Sequence, residues 1–181
     1  MTYFLTTPRA GTPDITDHSL PVTIETVGST VLTNIKVPLG TIVKAQDGTY
    51  GEGEFIRLVG VASTIVGALV KYNATTYQTA LLSVTNGKNK GVPVAVAMSA
   101  CVANEHGWYQ IGGNAVIKKT TVAVTPQVPI FISATDGRMK VLASAGQQIL
   151  GAQTANLTTI VTTTSTVVVT INRPHTQGQI T

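Results

Sequence analysis

The segment Val167-Val168-Val169-Thr170-Ile171 carries an apolar side chain at every second position, at Val167, Val169 and Ile171. Successive side chains of a β-strand point to opposite faces of the sheet. This alternation therefore predicts a strand with one face turned toward a protein core.

The composition of the whole chain extends this prediction. Threonine, valine and isoleucine make up 67 of the 181 residues, and alternation recurs at Val128, Ile130 and Ile132. Branching at Cβ restricts these side chains and suits them to a pleated sheet. Seventeen glycines and eight prolines provide turns between many short strands. We expect an all-β fold, a small antiparallel β-barrel or sandwich of short strands with an extended N-terminal arm.

Three dipeptides predict the positions of hairpin turns: Asp47-Gly48, Asn86-Gly87 and Asp136-Gly137. Such pairs tolerate positive φ and are flanked here by residues typical of strands. The stretch 144–155 has the length of a short helix, but its two glycines favour an irregular strand.

Residues 1–20, called the N-terminal segment below, precede a single β-rich domain predicted over residues 21–181. Prolines interrupt the segment, which has no apolar periodicity. Two interpretations are open: a frayed terminus, or an extended arm that is mobile in the free protein and becomes ordered on a partner. In the second interpretation, the contacts of the arm are the side chains of Tyr3, Phe4, Leu5, Asp14 and Asp17.

The chain carries little charge, with only 11% charged residues against about 25% in a typical soluble protein. No apolar run approaches the roughly 20 residues of a membrane helix, so we expect no membrane contact. A protein with so little charge covers its surface with neutral polar side chains or with partners, which favours a homo-oligomer.

The positive charge lies after residue 54, where nine basic residues outnumber two acidic ones. A basic body attracts nucleic acid, but scattered lysines also prevent unwanted strand pairing at sheet edges. The bases cluster only at Lys88/Lys90 and Lys118/Lys119, without interleaved aromatic residues. We therefore favour solvated edges and expect no nucleic-acid partner.

Residues that carry chemistry are few and dispersed. The three histidines have no metal-site spacing and no cysteine beside them, so we expect no metal, no cofactor and no catalytic residues. Cys101 lies in an apolar run, which favours burial over a reactive thiolate. On a strand, Glu52 and Glu54 would share one face, as a glycosidase pair requires, but Gly-Glu-Gly-Glu favours a solvated turn.

Trp108 and Tyr109 lie between glycines in a predicted strand, so one should face the core and the other outward. Core packing and an interface anchor are the two interpretations of Trp108. We expect this aromatic pair to contribute to an interface.

Three runs in the middle of the chain resemble segments of capsid decoration, or cement, proteins of tailed bacteriophages. They are Gly51-Glu-Gly-Glu-Phe-Ile-Arg-Leu-Val-Gly-Val-Ala-Ser-Thr64, Val92-Pro-Val-Ala-Val-Ala-Met98 and Gly107-Trp-Tyr-Gln-Ile111. The resemblance covers roughly residues 40–150. It implies a small β-rich body, often trimeric, on the outer capsid surface, sometimes with an arm that ties neighbouring subunits together. It implies no catalytic residues.

The predicted function is therefore that of a non-enzymatic structural virion protein that binds and stabilises the outer capsid surface. Its expected partners are the major capsid protein and further copies of itself, as a homotrimer, after synthesis in the host cytoplasm. The alternative is a glycan- or receptor-binding head-fibre or adhesin module. A hydrolase is disfavoured because acids and histidines are scarce.

Overall fold

The structure is a computed structural model that describes residues 3–5, 15–16, 18, 23–27, 30–34 and 37–179, with the backbone alone for 3–5, 23–27 and 30–34. The structure is 47% strand and 3% helix, which confirms the all-β prediction. In chain order the elements are β1 (Tyr3–Leu5), β2 (Thr23–Val27), β3 (Thr30–Asn34), β4 (Ile42–Asp47), β5 (Gly51–Val59), β6 (Leu69–Tyr72), β7 (Thr79–Leu81), α1 (Val84–Gly87), β8 (Val94–Ala97), β9 (His106–Lys118), β10 (Pro129–Ile132), β11 (Met139–Lys140), β12 (Gln148–Thr154) and β13 (Thr166–Thr176).

Eleven of the described strands form one antiparallel sheet that curls into a half-barrel. Its main path runs β1-β4-β5-β9-β13-β12-β10-β11, and β6, β7 and β8 branch from it at β9. Strands β2 and β3 pair with each other as a separate hairpin. The half-barrel agrees with the predicted class of small antiparallel β-domain.

Strand β9 joins the parts of this sheet. Its first half pairs with β5, from His106 opposite Val59 to Gly112 opposite Glu54. Its second half pairs with β13, beginning at Gly112 opposite Asn172. Gly112 is therefore the point at which β5 and β13 lie on the two sides of one strand.

The alternation of buried and exposed side chains predicted for β13 is confirmed. Val167, Val169 and Ile171 are buried, while Thr170 and Asn172 are exposed. The buried side chains pack in the largest apolar cluster of the described residues, together with Leu69, Leu82, Val94, Val96, Ala115, Ile117, Val124, Ile130, Ile132, Met139 and Ile149. One face of the β10–β13 region therefore closes the main core.

Both aromatic side chains at the start of β9 are buried, Trp108 with 0% and Tyr109 with 1% of their surface exposed. The prediction that one of them faces outward is wrong, because apolar clusters cover both faces of the strand. Tyr109 packs in a cluster with Leu58 and Cys101, whose predicted burial is confirmed. Trp108 packs on the other side in a cluster with Phe55.

The cluster around Trp108 includes Ile15 of the N-terminal segment, which is 1% exposed. The structure therefore packs this one residue of the segment against the body, and the arm predicted for residues 1–20 stays a prediction. A buried isoleucine removes its apolar surface from water, and this burial favours docking of the segment on the body.

Two of the three predicted hairpin turns are confirmed. Asp47-Gly48 begins the β4–β5 turn, in which the Asp47 carboxylate accepts hydrogen bonds from the backbone N–H groups of Thr49 and Tyr50. Asp136-Gly137 lies in the β10–β11 hairpin, with Gly137 at φ +70°.

Asn86-Gly87 is not a hairpin turn but the end of helix α1. The Ser83 side chain accepts from Asn86 N–H, while the Asn86 side chain accepts from Ser83 N–H. This capping box favours a helical turn over the hairpin. The irregular strand expected over 144–155 is confirmed as β12, which bulges between Leu150 and Ala152.

Replacing Ile15 by alanine tests the docking of the N-terminal segment. The change removes buried methyl groups and should lower the free energy of unfolding by about 2–5 kcal/mol. Urea unfolding followed by Trp108 fluorescence measures the difference. Leu157→Ala, at a side chain 96% exposed, is the control and should stay within about 0.5 kcal/mol of the parent. Equal stability of both variants would contradict the packing of Ile15.

Candidate functional site

The structure places the predicted interface residues in three different situations. Tyr3–Leu5 form β1, whose backbone pairs with Ala45–Asp47 of β4 at the end of the main sheet path. Asp14 and Asp17 lie outside the described residues. The prediction that these five side chains contact a partner stays a prediction.

Trp108 and Tyr109 are core residues in the single chain, so neither presents surface directly to a partner. The Arg57 guanidinium lies over the Trp108 ring, 5.4 Å from its centroid, in an arrangement typical of a cation–π contact. Trp108 instead meets the N-terminal segment, since its cluster contains Ile15. The structure thus confirms the core-packing interpretation of Trp108 and joins it to the segment, while the contribution of the aromatic pair to an interface stays a prediction.

A second contact fixes the N-terminal segment near Ile15. His18 Nδ1 lies 2.8 Å from Glu105 Oε2, and the Val102 N–H donates to the same carboxylate oxygen at 3.0 Å. The hydrogen bond from Val102, with a further contribution from His18, lowers the pKa of Glu105 below its usual value despite partial burial. The carboxylate therefore stays ionised and holds the segment at neutral pH.

Glu52 and Glu54 lie on strand β5, and the expectation of a solvated turn is wrong. The Lys44 ammonium donates to Glu52 at 2.8 Å, and the Arg173 guanidinium donates to Glu54 at 3.1 Å. Pairing of β5 with β4 and β9 holds this Gly-Glu-Gly-Glu stretch extended. Each carboxylate faces its own cation, so the two form ion pairs rather than a shared acidic site.

Two further groups with possible chemistry are buried. Burial raises the pKa of the Cys101 thiol, whose Sγ donates to the Glu105 carbonyl at 3.3 Å. A raised pKa keeps the thiol protonated and weakly nucleophilic.

Lys119 has only 1% of its surface exposed, so its predicted place on a solvated edge is wrong. Its ammonium donates to the carbonyls of Thr120 and Val122, and burial lowers its pKa. Local sequence gives no signal for this, because Lys118 beside it is half-exposed on the opposite face of the strand.

Three strongly exposed apolar side chains on the loops that follow β11 and β12 were not predicted. Leu142 is 70% exposed, Leu157 96% and Val161 58%. We call these three residues the apolar end. Burying such side chains in a partner is favourable. Leu157 is the most exposed of the three, so its burial would contribute the most binding free energy.

The loop that carries Leu157 is firmly supported. The buried Asn156 amide donates to the carbonyls of Val124 and Thr158, at 3.0 and 2.8 Å. Val124 and Ile160 exchange two backbone hydrogen bonds of 2.9 Å. A loop fixed in this way loses little further entropy when it binds.

Residues 119–124 connect the two loops that carry the apolar end. Residues 119–124 are bonded to both sides, since Thr120 N–H donates to Met139 O and Lys119 N–H donates to Ser165 O. In sequence, Leu142 closely follows Met139, and Val161 closely precedes Ser165. Among the described residues no group of three potential metal ligands occurs, and no helix there is long and apolar enough to cross a membrane.

The His18–Glu105 contact should make stability depend on pH. Because the folded-state pKa of Glu105 is lowered, its contribution is present above the usual value of 4.5 and is lost as the pH falls through the folded-state value. Glu105→Gln should therefore lower the free energy of unfolding by at most about 1 kcal/mol near neutral pH. The difference from the parent should disappear in acid, measured by urea unfolding across a pH series.

The matched control is Glu52→Gln. Both members of the Lys44–Glu52 pair are 55% exposed, and such surface pairs contribute little. This variant should follow the parent at every pH. A Glu105→Gln effect that stays constant across the whole acid range of the series, with no decrease as the pH falls, would contradict the electrostatic origin.

Comparison of the chain with protein-family models, curated proteins and solved structures finds no match.

Proposed function

We propose that this chain is a structural virion protein that binds the outer surface of a bacteriophage capsid and stabilises the shell. The observation that carries the proposal is the exposed Leu157 on a hydrogen-bonded loop. Interfaces concentrate their energy in a few apolar anchors that enter pockets of the partner. Leu157 has the exposure and the rigid support that such an anchor needs.

The resemblance to decoration proteins supplies the identity of the partner, the major capsid protein. The chemistry of the described residues agrees with a binding role. Glu52 and Glu54 are occupied in ion pairs, the Cys101 thiol is buried and protonated, and Lys119 is enclosed. A protein that acts by contact alone needs none of these groups free.

The N-terminal segment offers a second means of attachment. Strand β1 pairs with β4 over three residues, and β1 ends the main path of the sheet among the described strands. The same backbone pairing is available to a β1 from another copy of the chain, because an edge strand pairs with any extended segment. Exchange of β1 between copies would join subunits in a homotrimer on the shell.

Substituting Leu157 by aspartate tests this proposal. The change places a charge where an apolar anchor meets the capsid, and it should weaken co-sedimentation with particles assembled without the chain by about tenfold or more. Folding should be unaffected, because the side chain is 96% exposed. Particles with and without the bound protein are compared by electron microscopy and by heat resistance.

Thr159→Asp provides the matched control, since it adds the same charge at another exposed position of the same loop. It should retain most of the binding. Equal capsid binding by both variants and the parent would show that the apolar end does not contact the capsid. Failure of the parent chain to bind the particles would refute the proposed function itself.

A further inference from the structure

A second surface, unrelated to the apolar end, lies on the exposed face of the sheet. Two depressions open there, one of about 380 Å³ beside β10, β12 and β13 and one of about 260 Å³ between β13, β9, β5 and β4. Both are lined by Asn172, so they meet at that residue. Together they have the size of a small-molecule site. We call them the polar groove.

Glycines create the groove. Strand pairing sets one row across the sheet, consisting of Asn172, Gly112, Glu54 and Lys44. Gly112 contributes no side chain, which leaves a gap between the flanking residues of the row. In β12, Gly151 has φ +70°, and a Cβ there would lie 2.6 Å from the Asn172 carbonyl oxygen. A side chain is therefore excluded at the bulge, and the first depression stays open there.

Three amide side chains line the first depression, those of Gln148, Gln153 and Asn172. Gln153 and Asn172 are exposed and Gln148 is half-exposed. None of the three side chains hydrogen bonds to another residue of the described chain. Each amide retains two N–H donors and one carbonyl acceptor for a ligand.

The charges in the second depression cancel. Arg173 pairs with Glu54 at 3.1 Å and Lys44 pairs with Glu52 at 2.8 Å, which leaves two positive and two negative groups in contact. A surface with no net charge does not attract a polyanion such as nucleic acid over distance. The ion-paired groups still donate and accept hydrogen bonds at short range.

From this combination we infer that the polar groove binds a neutral oligosaccharide. Each hydroxyl of a sugar donates one hydrogen bond and accepts up to two, which matches unpaired amides and planar charged groups in an uncharged groove. An extended peptide would seek apolar pockets for its side chains. Around Asn172 the exposed lining side chains are amides, the Thr170 hydroxyl and ion-paired charges, and Pro129 is the one exposed apolar residue among them. The function goes beyond capsid attachment, because it gives the exposed face of the body a ligand of its own.

Affinity electrophoresis tests the inference with defined probes. Native gels run toward the cathode, as the sequence pI of about 9.3 allows, contain dextran, yeast mannan, amylose, galactan or mixed-linkage β-glucan. At least one polysaccharide should retard the parent chain relative to a gel without it. Asn172→Ala and Gln153→Ala should each weaken the retardation by about twofold to tenfold, the effect of losing one hydrogen bond.

Gln179→Ala is the matched control, an amide removed at an exposed position outside the groove, and it should be retarded like the parent. Two groove variants are used so that the test still stands if one of them misfolds. Melting temperatures equal to that of the parent confirm that each variant is folded. Absence of retardation with all five probes would overturn the inference. So would retardation that survives both groove substitutions.

Capsid binding separates this inference from the proposed function. Leu157→Asp should keep the polysaccharide retardation of the parent, since Leu157 does not line the groove. If Asn172→Ala and Gln153→Ala lose capsid binding while no polysaccharide retards the parent, the groove is a protein interface and the oligosaccharide inference is wrong.

Discussion

The pairing of β9 with strands on both of its edges is the constraint on which the rest of the structure depends. Thirteen residues hold β5 on one side and β13 with β8 on the other. Because apolar clusters also cover both faces of its first half, Trp108 and Tyr109 are both enclosed. Gly112 pairs with both β5 and β13, and it also lines the polar groove. Core and surface are therefore set by the same few residues.

The two candidate surfaces differ in physical character. The apolar end consists of a few large side chains on supported loops, so its binding energy would come from removing hydrocarbon from water. The polar groove consists of amides and paired charges over glycines, so it would recognise a ligand by the geometry of its hydrogen bonds. Such surfaces suit different partners, and the chain keeps them on separate parts of the body: loops for the one and a sheet face for the other.

The sequence was sufficient for the fold class and for those features governed by neighbouring residues. Alternation in β13 and the turns at Asp47 and Asp136 depend on local geometry, and they were predicted correctly. Asn86-Gly87 was mistaken for a hairpin because the hydrogen bonds of Ser83 with Asn86 favour a helical turn. The burial of Lys119 and the assembly of the polar groove depend on residues far apart in sequence, which a single sequence does not bring together. The exposure of Leu157 likewise follows from the loop that supports it and not from its neighbours.

The packing of Ile15 against the Trp108 cluster has a consequence for the timing of folding. Ninety-odd residues separate these two positions, and long sequence separation slows folding. A ribosome adding about 5–20 residues per second needs several seconds to progress from one to the other. Throughout that interval the isoleucine has no finished site on its own chain. Beside a completed copy, the N-terminal segment of a nascent chain can therefore dock on that copy or on its own chain. A monomer that refolds in dilute solution has only its own chain, so the order of synthesis can determine where the segment docks.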